Sequence, residues 1–101
     1  YTGEDPRPEV PKFIESYKKK SGSVPDGLAA AGYDAAKILV NALKQIPVLD
    51  TAKLRDAIAA TRDYLGVTGK ITLNANRDAE KSAVVLKVTD GVFKYGETVN
   101  P

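Results

Sequence analysis

The stretch Gly66-Val67-Thr68-Gly69-Lys70-Ile71 is the nearest thing in this sequence to a phosphate-binding loop. Such a loop needs four residues between its glycines, so that successive backbone N–H groups cradle phosphate oxygens, and a Ser or Thr after the Lys to reach Mg²⁺. Here two residues separate the glycines and Ile71 follows Lys70, so the stretch reads as a glycine-permitted turn entering a strand. Asn74-Ala75-Asn76-Arg77-Asp78-Ala79-Glu80 places oxygen-bearing side chains at alternate positions, like the start of a calcium loop. Ala79 stands at the sixth position, where the sharp turn needs Gly, and Val85 stands at the twelfth, where a bidentate Glu closes the coordination sphere. A polar loop with Asx-type turns is the better reading.

Lys18-Lys19-Lys20 is a cationic run with no aromatic residues interleaved for base stacking, so it reads as a solvated helix end. Asp34, beside Tyr33, is the one carboxylate whose position suggests a groove, although an exposed Asp is the commoner case. No nucleophile and base are paired anywhere. The chain has no His and no Cys, which removes the commonest general base, the thiolate nucleophile and the usual zinc ligands. The expectation is therefore no enzyme, no catalytic residue, no metal site and no cofactor.

The elements around these residues are those of one small domain's worth of chain, 101 residues with 43% apolar and 28% charged side chains. The net charge of +2 gives no argument for nucleic acid or an anionic membrane surface. No apolar run is long enough to span a membrane. The chain opens on polar Tyr1-Thr2-Gly3-Glu4-Asp5 with no initiator Met, as a mature exported protein or an excised segment would.

The first seven residues read as a connecting segment. Val10, Phe13, Ile14 and Tyr17 form the apolar stripe of a helix starting near Pro8 and stopped by Gly22. A longer helix is expected from Asp26 to Gln45, with Ala31, Ala35, Ile38, Leu39, Ala42, Leu43 and Ile46 on its apolar side and Pro47 after its end. Its first turns, Leu28-Ala29-Ala30-Ala31-Gly32-Tyr33, are nearly all small, so another backbone or a ligand can come close. Asp50 caps a third helix to about Thr61, Val67–Leu73 reads as one strand, and residues 74–81 read as a loop. Thr89-Asp90-Gly91-Val92 marks a terminal hairpin, in which Phe93, Tyr95, Glu97 and Val99 alternate with Lys94, Gly96 and Thr98. Three amphipathic helices thus precede few and late strands. In α/β proteins such helices cover a sheet whose strands alternate with them, and those strands are not in this sequence.

Taken in order, Asp5-Pro6-Arg7-Pro8-Glu9-Val10, Pro25-Asp26, Ala29-Ala30-Ala31-Gly32-Tyr33-Asp34-Ala35-Ala36, Leu54-Arg55-Asp56-Ala57-Ile58, Gly66-Val67-Thr68-Gly69-Lys70-Ile71-Thr72, Asn76-Arg77-Asp78-Ala79 and Ala83-Val84-Val85-Leu86-Lys87-Val88 followed by Asp90-Gly91 resemble the C-terminal part of leucine/isoleucine/valine-type periplasmic solute-binding proteins of ABC transporters. The resemblance covers essentially the whole chain. It implies a partial type I periplasmic-binding-protein fold of the α/β class: three helices, a strand and a C-terminal β-hairpin. It implies that residues 1–82 form the C-terminal half of the N-terminal lobe. Residues 83–101 would then be the hinge crossing and return hairpin of the second lobe, with the hinge at Ser82 and Ala83. It also implies a ligand wall at Ala30, with Ala29 and Tyr33 as neighbours, most ligand-holding groups lying upstream of Tyr1.

The implied function is capture of an amino acid or related small carboxylate, outside the cytoplasmic membrane in the periplasm or extracellular space, for an ABC permease. Substrate identity stays open. The alternative is a ligand-sensing or assembly module of the same fold with no transport role. The helix stripes, left without their sheet, imply self-association or packing against the remainder of a parent chain.

Overall fold

Asp26 and Asp50 set the starts of two of the three helices in the computed structural model, which describes all 101 residues. Helix α1 runs Glu9–Ser21, α2 Gly27–Gln45 and α3 Thr51–Ala59. The Asp26 carboxylate accepts the Ala29 N–H at 2.8 Å, and Asp50 accepts the Lys53 N–H at 2.9 Å. Each thereby satisfies an amide that has no partner inside its helix. Helix α1 ends on Gly22 at φ +76°, whose N–H reaches the Lys18 carbonyl; only glycine adopts that conformation without a steric penalty. Helix α3 stops two residues short of the expected Thr61, because the Thr61 hydroxyl and N–H both turn back onto the Ile58 carbonyl.

Five strands follow: β1 Tyr64–Gly66, β2 Gly69–Leu73, β3 Ala79–Lys81, β4 Ala83–Thr89 and β5 Val92–Val99. They form two separate antiparallel sheets, β1-β2-β3 and β4-β5. Ser82 is the single residue between the last strand of one sheet and the first strand of the other.

The expected single strand Val67–Leu73 is in fact half of a tight hairpin. Gly66 pairs with Gly69 across a two-residue turn made of Val67 and Thr68, and Tyr64 pairs with Ile71. The expected loop 74–81 contains β3. The Asn74 side-chain oxygen accepts the N–H groups of Asn76 and Asp78, and Arg77 adopts φ +70°. This Asx turn reverses the chain, so that Leu73 faces Ala79 and Ile71 faces Lys81. Ala-Glu-Lys is a poor strand former, and it pairs because the turn delivers it to the open edge of β2.

The terminal hairpin has the expected turn, with Asp90 at φ +51° and Gly91 at φ +75°, the left-handed pair of a two-residue hairpin. The strict alternation expected along β5 does not hold. The register shifts between Val85 and Leu86, so that Leu86 faces Tyr95, Val85 faces Glu97 and Gly96 is the extra residue. A Cβ on Gly96 would stand 2.8 Å from the Val85 carbonyl oxygen, so the bulge needs glycine. Past the bulge it is Thr98, not Glu97 or Val99, that continues the face of Phe93 and Tyr95, and the Tyr95 and Thr98 hydroxyls are 3.0 Å apart.

Only 11 of the 101 residues are buried, so the core is thin. It is built from Val10 and Phe13 of α1, Ala30 of α2 and Val67, while Ile71 and Ala42 are buried outside this cluster. Tyr1, Tyr17 and Tyr33 surround the Phe13 ring with centroids at 6.2, 5.9 and 4.7 Å, within the range of favourable aromatic pairs. Much of the expected apolar side of α2 remains exposed, including Leu39 and Leu43. The Cα radius of gyration is 15.4 Å, against about 13 Å for a closely packed chain of this length.

Candidate functional site

Gly66, Val67, Thr68 and Gly69 are four consecutive buried residues, and they form a turn. Turns normally stay at the surface because their backbone groups need water. Here protein groups replace the water from both sides. The Asp34 carboxylate accepts the Val67 N–H at 2.8 Å with one oxygen, and the Thr68 N–H at 2.8 Å and hydroxyl at 2.6 Å with the other. The Arg7 guanidinium donates to the Gly66 carbonyl at 2.8 Å and the Val67 carbonyl at 3.3 Å. Arg7 is itself gripped by Asp5, which accepts from Nε at 3.0 and 3.1 Å and from Nη2 at 2.8 Å. A carboxylate and a guanidinium thus hold opposite polarities of one buried turn.

The electrostatics follow from this geometry. The Arg7 hydrogen bonds hold the Asp5 carboxyl below the usual carboxylate range, and Asp5 in turn raises the Arg7 guanidinium. Burial, and then the Asp34 charge, push the Tyr64 phenol up. Asp34 itself is only 2% exposed, which corrects the expectation that it sits at the surface. Asp34 lies four residues after Ala30 and so shares the helix face that meets the core, a face fixed by where α1 packs and not by the spacing within α2.

The first turns of α2 adjoin this node. Ala30 is fully buried against Val10, Phe13 and Val67, Ala29 is half-buried beside it, and Tyr33 is 39% exposed. The Tyr33 ring tilts over Phe13, has the Lys37 ammonium 5.8 Å from its centroid, and borders a groove of about 200 Å³ shared with Glu9, Lys12, Tyr64 and Leu65. Leu28, unremarked as a site residue in the sequence, is 83% exposed on the first turn, whose backbone the Asp26 cap fixes. Ala30 and Tyr33 therefore lie on one helix but face different surroundings, core and groove.

Ser82 is half-buried between the sheets, and its hydroxyl lies where a Cβ on Gly69 would fall, at 2.8 Å. Gly69 has φ +132°, so both its backbone and its clearance reserve the place for glycine. Ala83 is exposed and opens β4. Around Ser82 a cleft of about 280 Å³ separates the β1–β2 turn from the hairpin, with Arg7, Thr68, Lys70, Tyr95, Thr98 and Asn100 on its walls.

The described residues hold no cluster of His, Cys, Asp and Glu able to take a metal ion. No helix is long and apolar enough to cross a membrane.

A family profile described as periplasmic binding protein matches residues 1–92. The Leu/Ile/Val-binding protein homolog 7 of Brucella abortus is 34% identical over 62 residues, covering 60% of this chain and 16% of the relative. Among solved structures, a leucine binding protein from Thermotoga maritima superposes on the whole chain with a TM-score of 0.80 and 36% identity, over 29% of its own length. A putative branched-chain amino acid ABC transporter protein from Rhodospirillum rubrum covers 94% of this chain and 28% of its own, at a TM-score of 0.84 and 34% identity. The chain thus spans about a sixth of that curated relative and less than a third of the solved structures.

Proposed function

Because this chain belongs to the periplasmic binding protein family, in which its α/β arrangement is part of the type I fold and its role is generically ligand binding, we propose that it supplies one wall and the hinge of a solute-binding cleft. The protein carrying it captures an amino acid or a related small carboxylate outside the cytoplasmic membrane and presents it to an ABC permease. The observation that carries this reading is the likeness along the entire chain to a leucine binding protein at 36% identity.

In this reading residues 1–82 belong to one lobe and 83–101 to the other, with Ser82 and Ala83 as the crossing. The separation of the two sheets at Ser82 supports that division. The first turns of α2 form the wall. Leu28 and Tyr33 are its exposed members, Ala29 keeps the surface shallow between them, and Ala30 sets the helix's distance from α1 from behind. Leu28 offers an apolar surface suited to an aliphatic or aromatic side chain of the solute. The groups that hold the solute's charged ends lie in other parts of the protein.

No chemistry is done on the solute. Binding instead shifts the equilibrium between open and closed lobes, because only the closed form contacts the solute from both sides. Titration calorimetry of the complete protein with a panel of aliphatic amino acids and aromatic acids tests this. The reading requires a heat of binding from at least one of them, and a flat titration with every solute overturns it.

A further inference from the structure

The segment before α1 reaches in two directions. At its inner end Arg7 is hydrogen-bonded to the Gly66 and Val67 carbonyls of the buried turn. At its outer end Glu4 reaches the terminal hairpin, ninety-one positions away along the chain: its Oε2 accepts the Tyr95 backbone N–H at 2.9 Å and its Oε1 meets the Lys94 ammonium at 3.1 Å. Between them Asp5 fixes Arg7, and the Asp5 N–H closes a short turn onto the Thr2 carbonyl.

The two sheets share no strand pairing, and their only covalent link here is Ser82. β5 is an edge strand, and an outward-pointing N–H on such an edge is a free donor until something covers it. Glu4 covers the one at Tyr95, next to the bulge at Gly96 where the ladder is already broken.

From this we infer that residues 4–7 are a strap that fixes the hairpin's orientation against the helical body, with Arg7 as its anchor and Glu4 as its clasp. The clasp is exposed at both partners, with side-chain exposures of 44% for Glu4 and 53% for Lys94, so it opens without disturbing the core. The strap therefore adds a releasable constraint in parallel with Ser82. Under the lobe division proposed above, that constraint bears on the open and closed populations. The strap itself is a property of this chain and is tested without any solute.

This stretch has no Cys of its own, so Lys20→Cys on α1 and Lys87→Cys on β4 carry two spin labels in the complete protein, with any Cys elsewhere in it replaced by Ser. With Glu4 present, pulsed EPR should give a narrow distance distribution, and Glu4→Ala should broaden it about twofold or more, as expected for a segment released from its restraint. In the unlabelled complete protein, amide exchange at Tyr95 should accelerate by about tenfold or more in Glu4→Ala, the equivalent of one lost hydrogen bond, while Val67 and Thr68 stay as slow as before. Lys94→Met removes the ion pair alone and should leave Tyr95 exchange slow. An unchanged distance distribution or an unchanged Tyr95 rate in Glu4→Ala overturns the strap. Acceleration by Lys94→Met as large as that of Glu4→Ala overturns the assignment of the clasp to the Tyr95 backbone. A flat calorimetric titration of the complete protein would remove the proposed function and leave these outcomes untouched.

Discussion

The Asp34 carboxylate accepts both the N–H and the hydroxyl of Thr68 through one oxygen, at 2.8 and 2.6 Å, while its other oxygen holds the Val67 N–H. A helix side chain thereby closes a turn more than thirty residues away and lets that turn enter the core. The stability of the β1–β2 hairpin should therefore depend on Asp34. Asp34→Ala leaves two buried N–H donors without partners, at about 1–3 kcal/mol each. Urea unfolding should show a loss of about 3 kcal/mol or more. Asp34→Asn keeps one acceptor but turns an NH₂ toward a donor, and should lose about 2 kcal/mol. A change below about 0.5 kcal/mol in either, the range of neutral surface substitutions, contradicts the node.

Gly66 is the steric counterpart of the same node. A Cβ there would lie 2.5–2.7 Å from the Asp34 carboxylate atoms. Gly66→Ala should cost about 1–3 kcal/mol by forcing the carboxylate away. In Gly66→Ala with Asp34→Ala the clash is gone, so the double variant should lose less than the sum of the two singles. Strict additivity would mean that the two positions do not meet.

Acid should weaken the anchor before it reaches the helices. Hydrogen bonds from Arg7 depress the Asp5 carboxyl below its unfolded value. A depressed carboxyl contributes stability that is full above its unfolded pKa of about 4 and lost as pH falls through the folded value. Thermal unfolding followed from pH 7 downward should lose stability below about pH 4, and Asp5→Asn should flatten that limb. An acid limb identical in Asp5→Asn would show that the Asp5–Arg7 pair adds nothing. Since the Asp5 side chain is largely buried and that of Arg7 only one-third exposed, screening by salt should reduce the effect without abolishing it.

Leu28 and Ala30 should separate binding from stability. Leu28 is almost fully solvent-exposed, so Leu28→Ala should change folding stability by less than about 0.5 kcal/mol. The same change should weaken solute binding by the complete protein about tenfold, the loss expected for removing most of one apolar side chain from a contact. Ala30→Leu should do the reverse at the level of the fold, overpacking the space against Val10 and Phe13 by about 1–3 kcal/mol. Unchanged affinity in Leu28→Ala would remove Leu28 from the wall.

What could be read from the sequence follows the range of the forces involved. The helices were legible because their signals are local: Asp26 and Asp50 cap amides three residues on, and Gly22 stops a helix four residues from the carbonyl it reaches. The Asp90-Gly91 turn was legible for the same reason. The buried turn was not, because Val67 and Thr68 continue the β-branched pattern of a strand and the carboxylate that bends them lies at position 34. Nor was β3, whose Ala-Glu-Lys carries no strand signal of its own. The bulge was hidden because Gly96 looked like one more position in an alternating strand. In the candidate site, the small residues of α2 were visible, but which of them face outward depends on where α1 packs, and that put Ala30 inside and Leu28 outside.

The exposed apolar surface of α2 and of the hairpin, with Leu39, Leu43, Val88 and Phe93 all open to solvent, makes a further demand. Patches of this kind are seldom left uncovered. Sedimentation velocity of the isolated chain should show self-association that grows with concentration, and a well-folded monomer at high concentration would contradict the expectation.

The central claim is that this chain forms a wall of a cleft that closes on a small amino acid or carboxylate. Titration calorimetry of the complete protein, with leucine, isoleucine, valine and a set of aromatic acids, tests it most directly. The account predicts saturable binding of at least one of these solutes and a weaker titration in Leu28→Ala. Absence of binding across the whole panel, with the protein folded, would contradict it.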